Sequence, residues 1–255
     1  MGTHALGYTE EEAKLHASPV LTPEEAAVKR KEDLGNIIKV LKQPALWIFS
    51  VSIILWFFYF IGMNTFQFTA LIGAGYAPTI AGVVTTLFTL ANMLGMLVVA
   101  PLSDRVITRK MTFTLQLLGV GIMFIIIYFY VSGGGLNNTV LFILYFILGV
   151  FASTAVIQQN LYGEVFPPNL RNVGPGMLMT IGTIGSAGAP LVAAAWIGAF
   201  NGNYVSVFIF CAVSAIAAGL IALALPKSGG KVGDPLLDKF LAEQRAAEEE
   251  KAGQE

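Results

Sequence analysis

The stretch ALWIFSVSIILWFFYFIGMNTFQFTA at residues 45–70 contains no charged side chain. A helix needs about 20 predominantly apolar residues to cross the hydrocarbon core of a bilayer, and this stretch exceeds that length. The same composition continues along the chain. Between Gln43 and Pro226 the charged residues are only Asp104, Arg105, Arg109, Lys110, Glu164 and Arg171. The sequence therefore predicts a polytopic membrane protein.

The overall composition agrees with a membrane protein. Apolar residues make up 55% of the chain, charged residues 12%, and the mean hydropathy is +0.70, whereas a soluble domain has roughly 25% charged residues. The net charge is −1 and Cys211 is the only cysteine. We therefore expect the lipid bilayer and a small-molecule substrate as partners, but no nucleic acid, internal disulfide, cofactor or metal site.

The apolar body divides into six segments at clusters of Gly, Pro, Asn or charge. Each segment is long enough for one helical span, and none shows the alternation of a barrel strand. The predicted spans are 45–70, 79–101, 111–131, 139–161, 173–195 and 204–225. The predicted fold class is thus an all-α membrane protein with a tail at 1–43, a transmembrane domain at 44–226 and a second tail at 227–255. Each tail is expected to hold an amphipathic surface helix, starting near Thr22 and Asp234.

The basic residues predict the orientation of the chain in the cell membrane. All 15 lysines and arginines lie in the two tails or in the loops at 102–110 and 162–172, and the other three connections carry none. Positively charged loops stay on the cytoplasmic side, so both termini are expected to be cytoplasmic.

Polar and aromatic side chains are spread unevenly among the spans. Amides are costly in lipid, so the stripes that they form should point into the bundle and supply a substrate site. The candidate substrate-binding residues are Trp56, Phe60, Asn64, Gln67, Asn92, Tyr145, Thr154 and Gln158. Hydrogen bonding between helices is the competing interpretation for each of them. The third and sixth spans have few polar residues and are expected to face lipid. Small residues in the fifth span favour close helix packing, namely Gly182, Gly185, Ser186, Gly188 and Ala189.

The two charged loops resemble a known family. Residues 162–176 read YGEVFPPNLRNVGPG, which resembles the E-x-F-P-x-x-x-R-x-x-G-x-G signature between the fourth and fifth helices of one half of major facilitator superfamily transporters. The best resemblance is to the sugar-porter and metabolite–proton symporter branches. LSDRVITRK at 102–110 is similar to the superfamily's other signature loop, and GYAP at 75–78 is also similar to a superfamily segment.

The resemblance implies one six-helix half built as a 3+3 inverted repeat, and the match is best to the C-terminal half. The implied function is alternating-access transport of a small polar metabolite, a sugar or an organic acid. The charged loop residues are then candidates for a cytoplasmic gate, with simple topology anchors as the alternative. The candidate gate residues are Asp104, Arg105, Arg109, Glu164 and Arg171.

Several alternatives remain for a chain with only six spans. The other half could be a separate polypeptide, the chain could pair with a second copy of itself, or it could be a truncated or regulatory protein without transport of its own. An intramembrane enzyme is not expected, because the spans hold no histidine for a Ser-His pair and the sequence has no H-E-x-x-H motif. The spans also contain no Asp, Glu, Lys or Arg, so a proton-coupling group would have to come from the other half.

Overall fold

The computed structural model describes residues 31, 34–105, 107–226 and 241–242, with the side chains of Asp104 and Arg105 left out. The chain divides into two compact units, Met1–Ile38 and Lys39–Glu255. In the first unit the described residues are helical. The starts of both predicted tail helices, near Thr22 and Asp234, lie outside the described residues.

The second unit contains the predicted membrane spans. Its helices are α1 Pro44–Gly73, α2 Pro78–Arg105, α3 Arg109–Ser132, α4 Asn138–Phe151, α5 Ala155–Glu164, α6 Gly174–Ala199 and α7 Val207–Ala222. Short 3₁₀ turns at Pro168–Leu170 and Tyr204–Ser206 precede α6 and α7. Six segments of the described chain are long and apolar enough to cross a membrane, which confirms the six predicted spans. The fourth span consists of two helices, α4 and α5, and this break was not predicted.

Local sequence explains where the helices begin. Pro44 occupies the first turn of α1, where its missing N–H is not needed. Thr108 caps α3, since its hydroxyl accepts from the Met111 N–H at 3.3 Å. Asn137 caps α4, because its Oδ1 accepts from the Thr139 N–H at 2.9 Å. Gly75 permits the tight turn between α1 and α2, where its φ of +97° is unfavourable for other residues.

The sixth span, α7, packs between α3 and α1. The most extensive contacts are those of α7 with α3 and α1, of α1 with α6, and of α2 with α4, while α3 also contacts α4. By contrast, α2 and α6 each pack extensively against one helix only, α2 against α4 and α6 against α1. The best apolar window of each is only 28% buried, against 67% for the sixth span. The prediction that the sixth span faces lipid is therefore wrong: its small apolar side chains pack between two neighbours.

Small residues allow several close approaches between helices. A Cβ atom at Gly182 would lie 2.8 Å from Cγ2 of Ile53, and one at Gly185 would lie 2.8 Å from Cα of Ile54. The predicted close packing of the fifth span is thus confirmed at these two glycines, against α1. It is wrong for Gly188, around which a Cβ would meet no atom within 4 Å.

Two buried side chains also link α1 to α7. Ser52 Oγ donates to the Ala218 carbonyl at 2.9 Å, and Cys211 Sγ lies 3.5 Å from the Tyr59 carbonyl. Both interactions satisfy polar groups inside the apolar bundle. The lone cysteine is fully buried.

Candidate functional site

The break in the fourth span carries a polar connection to α1. Between α4 and α5 the chain turns through residues 152–154, and Thr154 is fully buried. Its hydroxyl accepts from Trp56 Nε1 at 2.7 Å and lies 3.3 Å from the Tyr59 hydroxyl. The interruption of the helix therefore places one hydroxyl where two aromatic residues of α1 can bind it.

Aromatic rings surround this connection. Trp56 stacks on Phe60 with 4.9 Å between the ring centroids and 11° between the planes. Phe57 meets Trp56 edge-on at 4.8 Å, and Tyr59 does so at 6.1 Å. Offset stacks and edge contacts are the favoured arrangements of aromatic pairs. They fix the orientation of the Trp56 indole.

A cavity of about 100 Å³ opens beside Trp56, between α1, α5 and α6. Its lining residues are Trp56, Phe57, Ala155, Gln158, Gln159, Tyr162 and Met179. Gln158 Nε2 donates to the Tyr162 hydroxyl at 2.6 Å. Gln158 is 3% exposed, and its Oε1 finds no hydrogen-bond partner among the described residues. The cavity thus combines aromatic surface with an amide carbonyl that accepts no hydrogen bond from the described part of the chain.

Four of the eight predicted substrate-binding residues gather around this region. Trp56 and Gln158 line the cavity, Thr154 binds Trp56, and Phe60 stacks on it. Their role in substrate binding stays a prediction.

The other four predicted residues are not part of the cavity lining. Asn64 is exposed and donates to the Phe60 carbonyl of its own helix at 2.7 Å. The buried side chains of Gln67 and Tyr145, and Asn92 Nδ2, have no hydrogen-bond partner within the described part of the chain. Their assignment as substrate-binding residues therefore remains a prediction.

Sequence reasoning missed six residues around the cavity and its polar connection. They are Phe57, Tyr59, Ala155, Gln159, Tyr162 and Met179. A signal for Tyr162 was present, because it follows Gln158 by four residues and so lies on the same helix face. Tyr59 gave no such signal, since its contact with Thr154 depends on the unpredicted break.

A second polar connection reaches the break from α3. Gln116 Nε2 donates to Ser153 Oγ at 2.9 Å, and Ser153 Oγ donates to the Val150 carbonyl at 2.7 Å. A Cβ at Gly95 of α2 would lie only 2.8 Å from Ser153 Oγ. The break is therefore enclosed by α1, α2 and α3.

The predicted gate residues lie at the end of the bundle that carries the charged loops. Arg109 Nη1 forms an ion pair with Glu164 Oε1. Arg109 begins α3 and Glu164 ends α5, so each charge lies at the helix end that the helix dipole disfavours. Their attraction offsets that cost and joins the two signature loops within one six-helix unit.

Other basic residues at this end bind backbone carbonyls. Lys110 Nζ donates to the Leu225 carbonyl at 2.6 Å, and Arg171 Nε donates to the Phe166 carbonyl at 3.1 Å. Arg171 thereby holds its own loop. The side chains of Asp104 and Arg105 lie outside the described residues, and their predicted gate role stays a prediction.

Two tyrosines close the opposite end of the bundle. The Tyr76 hydroxyl donates to the Gly135 carbonyl. The Tyr130 hydroxyl donates to the Asn137 carbonyl and accepts from the Asn137 N–H, both at 3.0 Å. Burial, followed by the influence of Tyr130, raises the pKa of Tyr76 to about 12. The Tyr76 hydroxyl thus remains a hydrogen-bond donor throughout the physiological pH range.

Comparison with known proteins adds one family match. The family model for the Major Facilitator Superfamily matches residues 72–246, which is more than half of the chain and includes five of the six spans. No curated protein matches this sequence.

Proposed function

Since the chain belongs to the Major Facilitator Superfamily, a family of transporters, we propose that it forms one six-helix half of a secondary transporter. It carries a small polar metabolite, a sugar or an organic acid, by alternating access. We do not expect it to be an enzyme. The observation that carries this proposal is the cavity at the break of the fourth span, where Trp56, Gln158 and Tyr162 meet. Concave sites with aromatic walls and a few polar groups are typical of small-molecule binding.

The charged loops support one orientation in the membrane. We propose that the end with Arg109 and Glu164 is cytoplasmic, in the cell membrane, with both termini on that side. The ion pair and Arg171 then stabilise the cytoplasmic ends of α3, α5 and α6 as a gate element. Asp104 and Arg105 extend the same charged surface.

A partner half is part of the proposal. A cavity of about 100 Å³ is small beside the roughly 300–1,000 Å³ of ordinary ligand sites, so a second wall is needed to enclose a metabolite. The poorly buried faces of α2 and α6 offer the surface for that wall. The partner is a separate N-terminal six-helix half or a second copy of this chain. If transport is proton-coupled symport, the partner supplies the titratable group.

Uptake into proteoliposomes tests the proposal. Vesicles would contain this chain alone, the candidate partner half alone, or both, and would be given labelled hexoses and organic acids. We expect uptake only when both halves are present, or with this chain alone if it forms a homodimer. A Gln158→Leu variant should lower that uptake about tenfold, since one lost hydrogen bond is worth roughly 1.4 kcal/mol. Uptake by none of the three preparations would favour the remaining alternative, a regulatory or truncated protein without transport.

A further inference from the structure

A second cavity, of about 170 Å³, lies between α2, α3 and α4. Its walls are mainly apolar. They include Val99 and Leu102 from α2, Leu115 from α3, and Val150 and Phe151 from α4. None of its lining residues lines the first cavity, between α1, α5 and α6. The two cavities are therefore separate sites.

The second cavity opens on the outer surface of the bundle. Three of its lining residues are partly exposed, namely Leu102 at 40%, Leu115 at 48% and Phe151 at 38%. All three belong to segments that are long and apolar enough to cross a membrane. A ligand therefore reaches the cavity through the hydrocarbon of the bilayer, where an ion is far more costly than a neutral molecule. This route favours an uncharged ligand.

Among the described residues, two polar side chains line this cavity, and they differ in what they have left to bind. Thr112 Oγ1 donates to the Thr108 carbonyl at 3.1 Å. Gln116 Nε2 donates to Ser153 Oγ at 2.9 Å, but Gln116 Oε1 has no hydrogen-bond partner in the described part of the chain. Gln116 is only 5% exposed. A hydroxyl group both donates and accepts, so it can use Oε1 and the second Nε2 hydrogen alike.

The volume of the cavity fits a single ring or a short chain. An apolar cavity of about 150 Å³ inside a protein stays dry and binds benzene. The present cavity is of similar size, and Thr112 and Gln116 are the polar members of its described lining. An apolar molecule with one hydroxyl thus matches both the walls and the Gln116 amide.

We propose that the cavity between α2, α3 and α4 binds an uncharged apolar molecule of the phenol or short-alcohol class, which enters from the bilayer. Its hydroxyl forms a hydrogen bond with the Gln116 amide, and its apolar body lies between Val99, Leu115 and Phe151. Gln116 also binds Ser153 at the break of the fourth span, so the ligand contacts a residue that supports the break. This inference goes beyond the proposed function, because the site is separate from the one proposed for the transported metabolite.

Fluorine NMR of the full chain in nanodiscs tests the ligand class. The probes are 4-fluorophenol, 4-fluorotoluene and 4-fluorobenzoate, which share a fluorinated ring and differ in carrying a hydroxyl, a methyl or a carboxylate group. Line broadening beyond that in empty nanodiscs separates binding to the protein from partition into lipid. Affinities are compared at equal probe concentration in the bilayer. We expect 4-fluorophenol to bind about tenfold more tightly than either other probe, which is the order that one hydrogen bond contributes.

Two pairs of variants locate the site. Leu115→Trp places a larger side chain at the opening and should weaken the binding of 4-fluorophenol about tenfold. Ile122→Trp, at an exposed position of the same helix outside the lining, should leave it unchanged. Gln116→Leu should remove the preference for 4-fluorophenol over 4-fluorotoluene. Ser153→Ala removes the same hydrogen bond between helices without changing the lining, and should retain the preference. Circular dichroism verifies that each variant is helical.

Several results would overturn the inference. Equal affinity for 4-fluorophenol and 4-fluorotoluene would mean that any hydrocarbon, a lipid acyl chain included, can occupy the cavity. Equal affinity for 4-fluorobenzoate would contradict an uncharged ligand. Binding that Leu115→Trp does not weaken would place the ligand elsewhere, and the absence of saturable binding of 4-fluorophenol to the helical wild-type chain would remove the site.

Discussion

At the scale of single residues, the contact of α6 with α1 depends on a missing methyl group. A Cβ at Gly185 would approach the Ile54 backbone to 2.8 Å, and a backbone atom cannot rotate away. We therefore expect Gly185→Ala to destabilise the chain by about 1–3 kcal/mol, as overpacked cores do. Unfolding in detergent, followed by circular dichroism, measures this.

Gly188 is the matched control for this substitution, one turn along the same helix. A Cβ there meets nothing within 4 Å, so Gly188→Ala should be neutral or slightly stabilising because alanine favours helix. Equal destabilisation by both variants would mean that the helix pair does not pack as described.

The Arg109–Glu164 pair makes a second residue-scale prediction. The two side chains are only 24% and 14% exposed, so removing one charge leaves the other poorly solvated. Arg109→Ala or Glu164→Ala alone should cost about 1–3 kcal/mol of stability, and the double variant should cost less than the sum of the two. A double-mutant cycle on unfolding in detergent measures this coupling. Strictly additive effects would indicate that the pair contributes no coupling.

At the scale of elements, the break between α4 and α5 is held by the Thr154 hydroxyl. Thr154→Val keeps the shape of the side chain but leaves the Trp56 N–H without its acceptor, and should destabilise the chain by about 1–3 kcal/mol. Thr154→Ser keeps the hydroxyl and should lose little stability. Thermal unfolding of the two variants gives the comparison, and a Thr154→Val chain as stable as Thr154→Ser would remove the hydroxyl from this role.

The break also marks the limit of what the sequence could predict. The spans could be predicted from the length of the apolar segments and from the Gly, Pro and charged residues that separate them. Both features are local in the sequence. The break in 152–154 has no proline and sits inside an apolar run, so hydropathy continues across it. Trp56 and Gln158 could be nominated because polarity in lipid is conspicuous. Their contacts with Tyr59 and Tyr162 depend on how α1 approaches the break, which is a tertiary property.

At the scale of the whole molecule, α2 and α6 are the least covered helices. Each helix exposes large apolar side chains. Leu94 of α2 is 53% exposed and Ile184 of α6 is 68% exposed. The proposed partner half should cover them. The sixth span was wrongly predicted to face lipid, because a low content of polar residues does not reveal which helix lies at the centre of the bundle.

If the partner half covers α2 and α6, side chains on these helices should lose contact with lipid, and spin labels can measure this loss. Nitroxide labels at Leu94→Cys and Ile184→Cys should lose collision with lipid-dissolved oxygen when the partner half is added. A label at Phe129→Cys, exposed on α3, should not change. Protection at Phe129 instead would place the partner on another face.

Cys211 has a practical consequence for such experiments. The sulfur is enclosed between α7 and the Tyr59 carbonyl, so maleimides in solution should find no thiol in the folded wild-type chain. Single-cysteine variants can therefore be made in the wild-type sequence without first replacing Cys211. In the folded protein, only the introduced thiol should react with the label. When the bundle opens, the native thiol becomes reactive, and the same reagent then counts unfolded molecules.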